Sequence, residues 1–185
     1  MKVKEVIASA LNLLGRQDLA ELLTEGAELN PEENEAANTL LYCLNAVEDE
    51  LARRYIPLTA SESMKASDGI FYFASFKRTP VNINKVLSDG VETEYEIFPQ
   101  YMKVNAQNIT VEYSYMPAKK KMDGTSDYAD KTGEYLLALG MAAEYCLING
   151  ETQASEQWEE KYRARIDGVQ SVTAASRFIP PRRWV

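Results

Sequence analysis

The sequence predicts an α+β protein: a helical bundle built from both ends of the chain, with a small antiparallel β-sheet inserted between them. Three observations point there. Apolar residues recur at helical spacing up to about Tyr55 and again from Tyr128 to Val172. From about Ser61 to Met116 those stripes give way to short runs with period-two alternation. A polar, lysine-rich stretch then separates the strands from the last helices. The expected organisation is a bundle from 1–60 and 123–175, a β insertion over 61–122 and an extended C-terminal arm over 176–185. A chain of 185 residues exposes roughly 9,000 Å² when folded, which leaves room for one core and a subdomain.

The elements follow in order. Val3, Val6, Ile7, Ala10, Leu11 and Leu14 form the stripe of a first helix that Gly15 stops. A short helix from Gln17 to Thr24 carries Leu19, Leu22 and Leu23 and ends near Gly26. Asn30-Pro31-Glu32-Glu33 places a capping residue, a first-turn proline and two acids where a helix begins. The predicted helix runs to about Tyr55 on Ala37, Leu40, Leu41, Leu44, Val47 and Leu51, with Arg53 and Arg54 in the last turn and Pro57 beyond. Ile70–Phe73 reads as a short aromatic strand, and Val81–Leu87 as another ending at the hairpin signal Asp89-Gly90. Val91–Phe98 reads as one strand with Glu92, Glu94 and Glu96 on one face. Tyr101–Val104 and Asn108–Tyr115 complete four or five strands. Pro117–Asp127 reads as a loop whose Ser126 or Asp127 caps the next helix. That helix, Tyr128 to about Asn149, turns Tyr135, Leu136, Leu139, Ala142, Ala143, Cys146 and Leu147 inward, with Gly133 and Gly140 permitting close helix contact. The last helix, Glu151–Val172, has Trp158, Tyr162, Ile166 and Val169 on one stripe and Glu159 at pairing distance from Arg163.

Composition narrows the chemistry. The chain has no histidine and two cysteines, so it supplies no histidine-based triad, no Cys-His dyad and no four-ligand structural zinc site. No catalytic, cofactor or metal residue is expected. No run of about 18 apolar residues suggests a membrane span. The charged N-terminus does not resemble a signal peptide, and the expected compartment is reducing. Cys43 and Cys146 sit on apolar helical faces as reduced thiols. The net charge of -8 is concentrated in residues 1–56 and 123–175, which argues against phosphate binding by the body of the protein.

Several patterns invite functional readings. Glu92, Glu94 and Glu96 form a carboxylate row, but a strand spreads them over roughly 13 Å, and a solvated strand face is the expectation. Asp123-Gly124-Thr125-Ser126-Asp127 has oxygen ligands and a glycine but lacks the terminal glutamate of a calcium loop. A capped turn is expected there instead. Lys119, Lys120 and Lys121 make a basic cluster, either a solvated loop or a partner surface. Tyr72, Tyr95, Tyr101, Tyr113 and Tyr115 suit either sheet packing or an interface. The tail stands apart. Arg177, Phe178, Ile179, Pro180, Pro181, Arg182, Arg183, Trp184 and Val185 combine a proline-stiffened backbone with residue types enriched in binding hot spots. It is expected to dock on another subunit.

Glu50-Leu51-Ala52-Arg53-Arg54-Tyr55-Ile56-Pro57-Leu58 closes the long helix. Pro80–Val86, Glu94–Pro99 and Thr110–Pro117 mark the insertion, and Pro-Arg-Arg-Trp marks the end. This order resembles the head–tail adaptor (connector) proteins of tailed bacteriophages, relatives of the tail tubular proteins, over nearly the whole chain. The resemblance implies a structural virion protein at the neck, assembled in the host cytoplasm, and no enzyme. It implies a closed ring of about twelve copies under the portal protein, with downstream tail or stopper proteins as further partners. Alone, such a protein is a monomer or weak oligomer. It implies Arg177–Val185 as the portal-docking arm, with Phe178 and Trp184 as anchors. DNA passes through the ring without being read by sequence. Two alternatives remain open: another neck or tail-completion protein, or an interaction module working through the β insertion. An enzyme using paired carboxylates such as Asp130 and Glu144 is the remote third.

Overall fold

A computed structural model describes residues 1–176. Its elements are α1 (Val3–Leu13), α2 (Gln17–Glu25), α3 (Pro31–Glu50), β1 (Leu58–Lys65), β2 (Ile70–Tyr72), β3 (Pro80–Ser88), β4 (Val91–Glu92), β5 (Tyr95–Ile97), β6 (Tyr101–Val104), β7 (Asn108–Tyr115), α4 (Ala129–Thr132), α5 (Glu134–Ile148) and α6 (Thr152–Ser176). The fold is α+β. The chain divides into two compact units, a helical unit (Met1–Glu50 and from Ala118 on) and a β unit (Leu51–Pro117).

In the helical unit α5 is the central element and packs against α1, α3 and α6. Leu136–Ala143 are all buried, because a helix surrounded by partners is apolar all round. The outer helices each give it one stripe: Val3, Val6, Ile7, Ala10 and Leu11 from α1; Leu40, Leu44 and Val47 from α3; Tyr162 and Ile166 from α6. Gly140 lets the helices approach closely. A Cβ there would lie 3.0 Å from both the Tyr162 ring and a Val47 methyl. The start of α3 is a reciprocal capping box: Asn30 Oδ1 accepts from the Glu33 amide at 2.9 Å, and the Asn30 amide donates to the Glu33 carboxylate at 2.8 Å.

Three sequence expectations change here. The long helix stops being α-helical at Glu50. Leu51–Tyr55 forms a wider π-helical turn, with the Ile56 amide donating to the Leu51 carbonyl at 2.7 Å; Pro57 has no amide with which to continue it. Gly133 does not sit inside a helix. Its φ of 80° and ψ of 151°, a conformation essentially restricted to glycine, break the predicted single helix into α4 and α5. Tyr135, in the first turn of α5, and Leu147, in its last, are half exposed rather than inward.

The β unit holds two antiparallel sheets, ordered β1-β7-β3-β4 and β2-β6-β5. Phe71, Phe76, Ile83, Val86, Met102, Val104, Ile109, Val111 and Tyr113 form one core drawn from both sheets. Asp89 and Gly90 both have positive φ, 50° and 82°, the twist that a two-residue hairpin needs between Ser88 and Val91. The predicted strand Val91–Phe98 is two strands in different sheets, β4 and β5. β1 was not anticipated. Its Thr-Ala-Ser-Glu-Ser sequence has little apolar alternation, and it pairs along its whole length with β7. The Asn108–Tyr115 alternation does turn Ile109, Val111 and Tyr113 into the core.

Candidate functional site

Each residue singled out by sequence has a definite place, except the arm. Arg177, Phe178, Ile179, Pro180, Pro181, Arg182, Arg183, Trp184 and Val185 lie outside the described residues. The helix that leads to them, α6, is seated on α5 by Tyr162 and Ile166, both at most 2% exposed. Its outer face carries the Glu159–Arg163 pair, with Arg163 Nε donating at 2.6 Å. Lys161 lies 4.2 Å over the Trp158 ring.

The three lysines of the return segment separate. Lys119 is exposed and pairs with Asp49 at 2.5 Å. Lys121 is exposed. Lys120 turns inward with a side chain 7% exposed. Its Nζ lies 2.5 Å from Asp127 Oδ2 and 3.6 Å from Glu48 Oε2. The Lys120 amide donates to Asn45 Oδ1 at 2.6 Å, and the Asn45 amide group reaches back to the Lys120 carbonyl. A partner surface on this segment therefore has Lys119 and Lys121 to offer, while Lys120 is tied into the interior.

Asp123–Asp127 is a capped turn that also pairs with the N-terminus. Ser126 Oγ accepts the Tyr128 and Ala129 amides at 3.1 Å each, satisfying the start of α4. The Val3 amide donates to the Gly124 carbonyl and the Ser126 amide to the Met1 carbonyl, and Lys4 pairs with Asp123 at 3.3 Å. This bridge between residues 119 to 125 positions apart had no local sequence signal.

Glu92, Glu94 and Glu96 are exposed beside an open groove that also involves Lys103 and Asn105. Lys85 pairs with Glu92 at 3.6 Å, and Glu96 stands opposite Lys103 in the β5–β6 ladder. The row is thus partly neutralised, and no group of three or more acids or thiols among the described residues is arranged to hold a metal. Asp130 pairs with the N-terminal amine, whereas the carboxylates acting on Glu144 are Glu50 and Glu159. Burial, chiefly, and those neighbours hold the Glu144 carboxyl above its ordinary range. Cys43 and Cys146 are free and buried; burial, helped by Glu144, pushes the Cys43 thiol up to about 12, the condition of an inert thiol.

The tyrosines divide between the two expectations. Tyr113 is core: fully buried, edge-on to Phe76 at 5.0 Å, its hydroxyl bonded to Glu62. Tyr72 is half exposed on the β2-β6-β5 sheet, next to Tyr101 at 5.8 Å, which stacks on Phe98 at 4.7 Å. Val81, Val91 and Ile97 are also more than half exposed. Val91 and Ile97 were expected on the apolar face of one strand; the split puts them in different sheets, on β4 and β5, and leaves both exposed.

No family model matches the chain, and no curated protein matches it. No helix among the described residues is long and apolar enough to cross a membrane.

Proposed function

We propose that the chain is a structural head–tail adaptor of a tailed-bacteriophage virion, without enzymatic activity. It docks on the portal protein through Arg177–Val185 and contributes to the conduit through which DNA passes. The observation that carries this reading is the direct succession of α6 and the arm. The 25-residue helix Thr152–Ser176 is anchored along the central helix α5 and ends one residue before Arg177. α6 thus leads from the bundle into a segment rich in Arg and large apolar groups. The resemblance in element order supports the rest: about twelve copies ringed under the portal at the neck, with tail or stopper proteins below. The protein is made in the host cytoplasm, is a monomer or weak oligomer alone, and reads no DNA sequence.

The test is co-sedimentation with a portal ring. Trp184→Ala and the pair Arg182→Glu, Arg183→Glu are expected to abolish binding, while Lys119→Ala and Lys121→Ala leave it intact. Undiminished binding by the arm variants contradicts the docking role. A second reading, an interaction module working through the β unit, is favoured by the exposed Tyr72, Val81, Val91 and Ile97. It requires partner binding to survive loss of the arm and to fail in Tyr72→Ala.

A further inference from the structure

One buried charge cluster in the helical unit has an imbalance that its packing does not correct. Glu48, on α3, is 1% exposed. Its Oε1 accepts the Ser126 hydroxyl, and its Oε2 is buried with no hydrogen-bond donor. The nearest cation, Lys120 Nζ, stands 3.6 Å from that oxygen and is in much closer contact with Asp127 at 2.5 Å. Two carboxylates therefore share one ammonium; Asp127 is 32% exposed and keeps contact with water, whereas Glu48 holds its negative charge in the interior. Burying an unbalanced charge is costly, and a group so placed tends to neutralise itself.

The surrounding charges do not supply the missing cation. On α3 itself, Asp49 is engaged by Lys119. From α1, Lys4 is paired with Asp123, and Glu5 accepts the Lys2 amide. From α5, Glu144 answers to Glu50 and Glu159. The charges acting on Glu48 are Lys120 and Asp127. Burial, the largest influence, raises the affinity of its carboxyl for a proton, against the Ser126 hydrogen bond and Lys120.

We propose that Glu48 is a proton-uptake site: one proton taken up at Oε2 neutralises the Glu48–Lys120–Asp127 cluster and fastens the return segment 118–127 to α3. The segment is well placed to respond. It meets α3 at Asn45, Glu48 and Asp49 through Lys120, Ser126 and Lys119 in turn. Ser126 links Glu48 to the first amides of α4. Glu48 holds a proton more strongly when the segment is closed than when it is open, so closing takes up a proton. The closed state is then favoured as pH falls and loosened as pH rises through the folded-state pKa.

The test is hydrogen exchange on the full chain between pH 5 and 8, corrected for the intrinsic rate, at the amides of Lys120, Gly124 and Ser126. Linkage to one proton predicts that protection rises by up to about tenfold per pH unit as pH falls. In Glu48→Gln the slope is expected to vanish. Equal slopes in the two proteins, or protection that falls with pH, overturn the proposal. Should Glu48→Gln fail to fold, Asp127→Asn removes one carboxylate and leaves Lys120 to Glu48 alone, so the slope is expected to move to lower pH while burial keeps part of it; a slope unmoved from that of the native chain overturns the proposal. Carboxyl carbon shifts of the native chain give a direct reading. A Glu48 midpoint above the ordinary range of about 4.3 supports proton uptake, and one at or below it overturns it.

Discussion

The helical unit and the β unit solve the same burial problem with different means. The helical unit closes around one apolar helix, α5, with leucines and small residues from its neighbours, and holds a charge cluster at Glu48, Lys120, Asp127 and Ser126. The β unit uses aromatic and β-branched residues from two sheets, and the hydroxyl of its core residue Tyr113 is bonded to Glu62. A helix carries its register in its own sequence, because its hydrogen bonds are local. A sheet takes its register from a distant strand. β3 shifts against β7 twice, between Pro80 and Asn82 and between Ile83 and Lys85, and neither shift has a signal in β3 alone.

The largest effect that sharpens this contrast comes from a cavity in each core. Leu44→Ala and Met102→Ala are each expected to cost about 2–5 kcal/mol. If each unit owns its core, hydrogen exchange will show Leu44→Ala opening α3 and α5 while the β3–β7 ladder stays protected, with the converse for Met102→Ala. Loss of protection across both units in either variant breaks the comparison. Next is Gly69→Ala in the β unit, where the new Cβ would meet the Val104 carbonyl oxygen at 2.3 Å on a backbone with φ of 70°. Its cost should exceed the ~1–2 kcal/mol of the left-handed backbone alone, read as a lowered denaturation midpoint. Gly140→Ala, with contacts of 3.0 Å to the buried Tyr162 ring and a Val47 methyl in the helical unit, is expected to cost about 1–3 kcal/mol.

The smallest effect is a pH signature. Burial, with the Glu62 contact, pushes the Tyr113 phenol up to about 12. A phenol that ionises less readily when folded adds stability below about pH 10, and that stability is lost as pH rises from about 10 to 12. Tyr113→Phe is expected to remove this alkaline loss, as followed by circular dichroism against pH. The Glu48 dependence is in a different window and a different unit, which separates the two.

Most of the helical unit was legible. The stripes of α1 and α3, the stop at Gly26 and the cap at Asn30 all follow from local chemistry, and the structure honours each. What escaped was backbone detail with non-local causes: the Gly133 break, the π turn before Pro57 and the pairing of Gly124 with the N-terminus. In the β unit, Tyr101–Val104, Asn108–Tyr115 and the Asp89-Gly90 turn were legible, since their alternation or turn chemistry is strong. β1 was not, because Thr59–Ser63 is polar and becomes a strand by pairing with β7. The lysine cluster shows the same limit. Sequence gives three adjacent cations, but only tertiary packing distinguishes buried Lys120 from exposed Lys119 and Lys121.

The most direct test of the adaptor reading is the mass of a portal ring mixed with the full chain and with a chain ending at Ala175. The account predicts that the full chain adds a closed ring of copies, about twelve, and that the shortened chain adds none. Equal binding by both chains, or none by the full chain to any portal offered, would contradict it and turn attention to Tyr72, Val91 and Ile97 on the β unit.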